Sequence, residues 1–542
     1  MATDNRRFGV SLRGMSVKLN HDVWHLVLDQ IDSRRDLCNV CLTSRSLFAM
    51  AIPHLYKVVP LTYHPKSKTL QFARDPKWDP LHLPRALSSR LLDSKHKQVR
   101  NAVQELDFGW FNDEHLGGME AQLVALVDSL PNLRRVKIRG PLSQDVFEKL
   151  TENSKHISLH LLYEDGTRRV ERDLQNVTAL AVRLSVTDER EGPNRHILST
   201  QALFFACPNM TSLALDVVRD YGGCVISMPS FDIIDSFQFA GDEVFPPLAE
   251  LSLSGYWFDE AEWAHWRGKL QWSRLRSLAL GPQQTSSFLK LAAGYATSLR
   301  DLTITVHTDE DRETDCPPLE LFLTTFTSLE SLTVKGYHLP IGPIGNHPGL
   351  KHLCLHAFEP IRGETPRQTL SIEQLQKLDE CCAHLETLEI DLCRDGEWVS
   401  GIRPPRQGDS TNTAPPQPED LLKILATGFR NLQSLTLHLE LGLRNLEGRR
   451  APDPENSAHI KPMLTEDSAK EVGRNFFKWR SSARLNKLVL MTGESLRRYP
   501  QWEPGFSVFE RKNTYTMVLH RPRNMGGVPK VEVMVKPSRH FY

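Results

Sequence analysis

Leu275-Arg276-Ser277-Leu278-Ala279-Leu280 and Leu350-Lys351-His352-Leu353-Cys354-Leu355 share one pattern, an apolar residue followed three and then five positions later by two more. Because those last two stand two apart, on an extended strand both point to one face and their neighbours to the other. Copies start at Leu133, Met210, Leu248, Leu275, Leu299, Leu329, Leu350, Leu385, Leu432 and Leu485, with a weaker one at Val177, at intervals of 21 to 53 residues. Stretches with helical spacing lie between several of them, among them Asp259 to Trp272 and Ile372 to Leu385, and can cover the back of the strands. One strand-plus-helix unit cannot bury its apolar face alone, whereas many stacked side by side share a continuous core. The expected fold is therefore α/β, an irregular solenoid with a parallel sheet on its concave face.

Composition agrees with that architecture. At 542 residues the chain is long for one compact core, but a solenoid tolerates the length because each repeat touches only its neighbours. Lys plus Arg and Asp plus Glu balance at 66 each, so no global field draws the protein to nucleic acid or anionic lipid. No run reaches the roughly 18 uninterrupted apolar residues that suggest a membrane span. The first twenty residues scatter Asp4, Arg6, Arg7, Arg13 and Lys18 where a secretory signal would be continuously apolar. An intracellular protein, cytoplasmic or nuclear, is expected. Nine cysteines form an odd, sparse set that reads as thiols in a reducing compartment. Cys38 and Cys41 form a C-x-x-C with no second pair nearby, so packing on a helix is the better reading and no metal or other cofactor is expected.

Residues 19 to 52 differ from all that follows and read as three short helices. Asn20 can cap the first, with Asp22 in its first turn and Val23, Trp24, Val27, Leu28 and Ile31 forming a wide apolar stripe. Asp36 can cap a second helix carrying Leu37, Val40, Cys41 and Leu42. Ser44 can cap a third carrying Leu47, Phe48 and Met50, which Pro53 should stop. So small a unit should lean on a neighbour for stability.

Two resemblances follow from these motifs. Over roughly residues 100 to 495 the chain resembles the leucine-rich-repeat family, although that family's Asn or Cys after the last Leu is mostly replaced, as by Asp216, Gly255, Gly281 or Val306. Leu19-Asn20-His21-Asp22-Val23-Trp24 resembles the opening motif of the F-box family, and Asp36-Leu37 with Val40-Cys41-Leu42-Thr43-Ser44-Arg45 its second half. Asn20 stands where the family usually has Pro, and Leu47 where many members have Trp. Together with Pro53-His54-Leu55-Tyr56-Lys57-Val58-Val59 and irregular repeats, the arrangement is similar to the F-box proteins of filamentous fungi. The resemblance implies a disordered tail over 1–18, an F-box over 19–60, a helical linker or N-terminal cap over 61–100, a leucine-rich-repeat horseshoe over 101–495 and a C-terminal cap over 496–542. It further implies a substrate-recognition subunit of a cullin-RING ubiquitin ligase. The F-box would dock the ligase adaptor, and through it a cullin, by Leu19, Asn20, Trp24, Leu28, Leu37 and Leu47, and the repeats would hold an unknown protein substrate. The alternative is a repeat scaffold that does not bind the adaptor, with part of that residue set closing the module's own core.

Strand alternation names the residues of the concave face. Arg135, Lys137 and Arg139 come from an early repeat, Ser252, Ser254, Thr303, Thr305, His307, Lys335 and His356 from middle ones, and Thr387, Glu389, Asp391, Thr436 and His438 from later ones. The stripe reads basic to acidic, suited to orienting a polar partner but also to plain solubility. Trp257, Trp263, Trp266 and Trp272 read as core. Asp309-Glu310-Asp311, with Glu313 and Asp315, lacks the spacing and Gly of a calcium loop and reads as a solvated insertion. Arg403 to Pro418 and Arg449 to Glu466 read as flexible inserts, and Tyr515 to Leu519 with Val531 to Val535 as strands of a terminal cap. No nucleophile elbow, P-loop, dinucleotide fingerprint or zinc-protease helix occurs, so no catalytic residue is assigned and a binding role is expected.

Overall fold

The computed structural model describes residues 21–31, 33–64, 69–72, 91, 93–108, 116–139, 142–152, 157–164, 173–186, 195–219, 236–239, 241–256, 258, 260–281, 285–306, 309–359, 367–392, 418–440, 464–480, 484–493, 514–522 and 527–533. The expected tail, Leu19, Asn20, Trp257, His307 and nearly all of both inserts lie outside them. Two compact units divide the chain, Met1–Ala181 and Val182–Tyr542.

The first unit opens with helices α1 (His21–Asp29), α2 (Arg34–Cys41) and α3 (Arg45–Tyr56). Leu28, Leu37, Met50, Ala51 and Leu55 form their shared core, with Trp24, Ile31, Cys38, Val40, Cys41, Leu47 and Tyr56 packed around it. Ser44 caps α3 as expected, accepting from the Leu47 amide at 3.1 Å. Two expectations need correction. Helix α2 starts at Arg34, capped by Ser33 rather than Asp36, with the Ser33 hydroxyl accepting from the Asp36 amide at 3.2 Å. Pro53 does not stop α3, which runs on to Tyr56 because Leu55 and Tyr56 complete the module's core.

Helix α3 leads directly into strand β1 (Val58–His64), followed by β2 (Thr69–Phe72), helix α4 (Lys97–Ala102), β3 (Glu105–Phe108), α5 (Leu116–Ser129), β4 (Arg135–Arg139), α6 (Gln144–Glu152) and β5 (Ser158–Glu164). Strands β1, β3, β4 and β5 run parallel in that order, and β2 lies antiparallel on the free side of β1. The sheet thus begins at Val58, within the stretch assigned to the F-box. Its first two parallel strands follow the repeat pattern in Tyr56-x-x-Val59-x-Leu61 and Val103-x-x-Leu106-x-Phe108, copies overlooked in the sequence. Strand β6 (Val177–Val186), the weaker copy, spans the division between the units.

In the second unit the order is α7 (Arg195–Phe205), β7 (Ser212–Arg219), β8 (Glu250–Ser254), α8 (Glu260–Lys269), β9 (Ser277–Leu280), α9 (Thr285–Ala292), β10 (Asp301–Thr305), α10 (Asp309–Thr324), β11 (Ser331–Lys335), α11 (Ile341–Ile344), β12 (His352–His356), α12 (Ile372–Cys381), β13 (Thr387–Leu392), α13 (Pro418–Thr427), β14 (Ser434–Leu439), α14 (Glu466–Trp479), β15 (Lys487–Thr492), β16 (Tyr515–His520) and β17 (Lys530–Val533). Strands β7 to β15 form one parallel run in chain order. Equivalent leucines are in register, so that Leu213, Leu251, Leu278, Leu302, Leu332, Leu353, Leu388, Leu435 and Leu488 form a ladder of buried side chains. Each burial contributes about 1.5 to 3 kcal/mol, which makes the register costly to shift. Helices α8 to α14 pack each against the next. The run Asp309 to Asp315, read as an insertion, instead lies within α10. Strands β16 and β17 add antiparallel to β15, as expected of a terminal cap.

Polar side chains just before the triplet tie successive repeats together. Asn431 Nδ2 donates to the Ala383 carbonyl at 2.7 Å and Ser328 Oγ to the Leu299 carbonyl at 2.6 Å; each precedes the first Leu of its repeat and reaches the one before. In the first unit Asn132 Nδ2 likewise donates to the Asn101 carbonyl at 2.7 Å. Trp263, Trp266 and Trp272 are buried as expected, packed with Phe258 and Phe288. Here Glu262 Oε1 accepts from Trp266 Nε1 at 3.0 Å and from the Tyr256 hydroxyl.

Candidate functional site

On the open face of the second unit's sheet, successive strands place side chains in rungs. Thr333, Cys354, Glu389 and Thr436 form one rung across β11 to β14, and Ser331, His352, Thr387 and Ser434 the rung before it. Their polar character follows from strand alternation, because the neighbouring leucines claim the opposite face. Together they line a half-open pocket of about 170 Å³ bounded by Thr333, His352, Leu353, Cys354, Thr387, Leu388, Glu389, Ser434 and Thr436.

The next rung brings Lys335, His356, Asp391 and His438 side by side. The imidazoles of His356 and His438 stack with centroids 3.7 Å apart. Asp391 Oδ1 accepts from His356 Nδ1 and from Arg367 Nη1, both at 2.7 Å, and Oδ2 from the Ala357 amide at 2.6 Å. Burial opposes ionisation of Asp391, but the Arg367 guanidinium and the His356 ring outweigh it and hold the carboxyl below its ordinary range. Glu359 lies 3.8 Å from Arg367, completing a buried ionic group that ties the segment after β12 to the sheet. His438 Nε2 bonds Glu389 Oε1 at 2.7 Å. Partial burial opposes the Glu389 charge too, yet His438, with Lys335 and His356 beyond it, lowers this carboxyl to about 2.

This arrangement can accept hydrogen bonds and hold negative charge, but it does not activate a thiol. Burial and the neighbouring Glu389 push the Cys354 thiol well up, so it stays protonated. Among the described residues no group of three or more His, Cys, Asp or Glu side chains is arranged to hold a metal, and no helix is long and apolar enough to cross a membrane.

The sequence-named face residues fare differently. Lys335, Glu389, Asp391, His356 and His438 come together, but His356, Asp391 and His438 are buried and cannot contact a partner directly. They are covered because Phe358, Glu359 and Arg367, from a segment outside the repeat pattern, fold onto them; only the charge of Arg367 could have hinted at this. In the first unit Arg135 and Lys137 both pair with Glu105, at 3.2 and 2.9 Å, and Arg139 pairs with Asp107 at 3.1 Å. The expected basic start of the stripe is thus largely neutralised by two acids of the overlooked strand β3.

The helical module also needs correction. Leu28 and Leu37, assigned to a partner, are 1% and 4% exposed and close the module's own core, while Trp24 and Leu47 are half-buried against it. The exposed apolar side chains are instead Val23, Leu26, Val27, Leu42 and Phe48, with Leu26 at 67% and Leu42 at 84%. Reading α1 as one stripe did not separate Leu28, which turns inward, from Val23 and Val27, which stay exposed, and it left out Leu26; apolar groups lie on two faces of this helix and only packing decides which turns inward. Cys38 and Cys41 lie half-buried on α2, their thiols pushed up mainly by burial, in keeping with packing residues. Compared with known protein families and curated proteins, the chain matches no family model and no curated protein.

Proposed function

We propose that the protein is a non-catalytic substrate-recognition subunit of an intracellular cullin-RING ubiquitin ligase, its N-terminal module docking the adaptor and its repeat face holding a protein substrate. The reading rests on the F-box-like motif of residues 19–45, and the observation that supports it best is the apolar surface of α1 to α3. Five of the ten large apolar side chains exposed among the described residues lie between Val23 and Phe48. Exposed apolar side chains concentrated in so short a stretch of a small helical module are what a protein contact there would use. We assign the adaptor contact to Val23, Leu26, Val27, Leu42 and Phe48, with Trp24 at its margin. The polar open face of the second unit suits a protein substrate, and the protonated Cys354 argues against thiol catalysis there.

Pull-down of the adaptor by full-length protein tests the reading. Wild type should recover it, and Leu26→Ser with Leu42→Ser should reduce recovery at least about 30-fold, as loss of a contact worth 2 kcal/mol does. Both side chains are exposed, so the urea midpoint should not move. Failure of the folded wild type to bind would favour a repeat scaffold outside the ligase.

A further inference from the structure

The pocket over β11 to β14 carries acceptors with no internal donor. The hydroxyls of Thr333, Ser434 and Thr436 make no hydrogen bond among the described residues, and Thr387 is bonded only to His352, at 2.8 Å. Glu389, whose side chain is a third exposed, takes one hydrogen bond from His438 at Oε1 and interacts with the Cys354 thiol, which leaves part of the acceptor capacity of a carboxylate unused. At about 170 Å³ the pocket falls below the roughly 300 Å³ at which small-molecule sites begin, and has room for one side chain.

We propose that this pocket takes the ammonium group of a lysine side chain from an extended partner peptide, with Glu389 as counter-ion and Thr333, Ser434 and Thr436 as further acceptors. An ammonium brings three donors and no acceptor, the complement of a lining rich in unfilled acceptors. Lysine is preferred over arginine because His438 already occupies Glu389 Oε1, which blocks the two-pronged pairing that gives a guanidinium its advantage. An anion is disfavoured by the Glu389 carboxylate, which His438 keeps ionised. Lys335, one register step away, makes no ion pair within 4 Å among the described residues yet lies close enough to influence Glu389; it is the internal competitor for this charge.

The inference rests on the open face being a protein-binding surface and is independent of adaptor docking. The test is a titration of full-length protein, labelled at threonine methyl groups, with a pentapeptide carrying one central lysine flanked by Gly and Ser. Shifts should be confined to Thr333, Thr387 and Thr436, with a dissociation constant of about 1 mM, as suits one partly exposed ion pair with a few hydrogen bonds. Nε-acetylation of the lysine should abolish them, and the arginine peptide should bind about threefold more weakly. Glu389→Gln should weaken binding about tenfold, as should Thr436→Val combined with Ser434→Ala, which leaves the His438 contact intact. Lys335→Met should strengthen it about threefold, by removing the competing charge. Weaker binding by Lys335→Met, equal binding of the acetylated peptide, or no shift by folded wild type would overturn the assignment. Adaptor recovery by the same protein shows whether the ligase reading falls with it.

Discussion

Glu389 and Asp391 are carboxylates whose native environment favours the charged form, so their contribution to stability has a definite sign with pH. A free Glu carboxyl titrates near about 4.3 and a free Asp near about 3.9, above their depressed native values. Their stabilisation is therefore complete above those unfolded values and is lost as pH falls towards about 2 for Glu389. Urea midpoints measured from pH 6 downwards should drop more steeply for wild type than for Glu389→Gln; identical slopes would refute the local account. Asp391→Ala should cost about 3 to 5 kcal/mol at neutral pH, since it removes the closer of the two buried carboxylates beside the Arg367 guanidinium and leaves Glu359 at 3.8 Å. Buried Arg480 works differently: its guanidinium donates to the carbonyls of Ala426, Gly428 and Phe429 at 3.1, 2.7 and 2.9 Å, satisfying the C-terminal end of α13. Arg480→Met should lower stability by about 3 kcal/mol in urea unfolding, with Arg480→Lys recovering part. Of this chemistry the alternation of β12 to β14 disclosed His356, Glu389, Asp391 and His438. Arg480 was silent and Arg367 offered no more than its charge, because neither sits in a repeated position and their partners are distant in sequence.

Among the elements, the turns that leave the strands depend on glycine at two places. Gly255 and Gly336 have φ of 67° and 82°, and a Cβ there would meet the Val217 and Val306 carbonyl oxygens at 2.1 and 1.7 Å. The neighbouring strand approaches too closely for any side chain, which explains Gly at a position where the resembled family has Asn. Gly336→Ala should cost at least about 2 kcal/mol, combining left-handed strain with the clash, and would show as a lower melting temperature. In the helical module, Leu28→Ala should cost about 2 to 5 kcal/mol by leaving a cavity. Circular dichroism and proteolysis would locate that loss at α1 to α3. Periodicity placed Leu28 on the apolar stripe and left Leu26 off it, but that Leu28 turns inward rather than towards a partner rests on the packing of α1 against α3.

At the scale of whole units, a parallel run of strands ends in an edge that must be covered. In the second unit β16 does this, pairing antiparallel with β15 while Leu519 packs over Gly473 of α14. Removing residues 514–542 should expose β15 and Val489, and the truncated chain should self-associate in size-exclusion chromatography where the full chain does not. The repeat spacing by itself determined the mixed α/β architecture, the strands from Leu133 to Leu490 apart from β5, and the face on which their leucines are buried. It did so because a period of two repeated in register leaves one arrangement with all leucines out of water. Only the tertiary structure decided that Glu105 and Asp107 neutralise the early basic residues, and that Arg367 seals Asp391 away from solvent. Those outcomes depend on side chains from different repeats meeting in space, and a one-dimensional period carries no record of which non-repeating segment folds back on which rung.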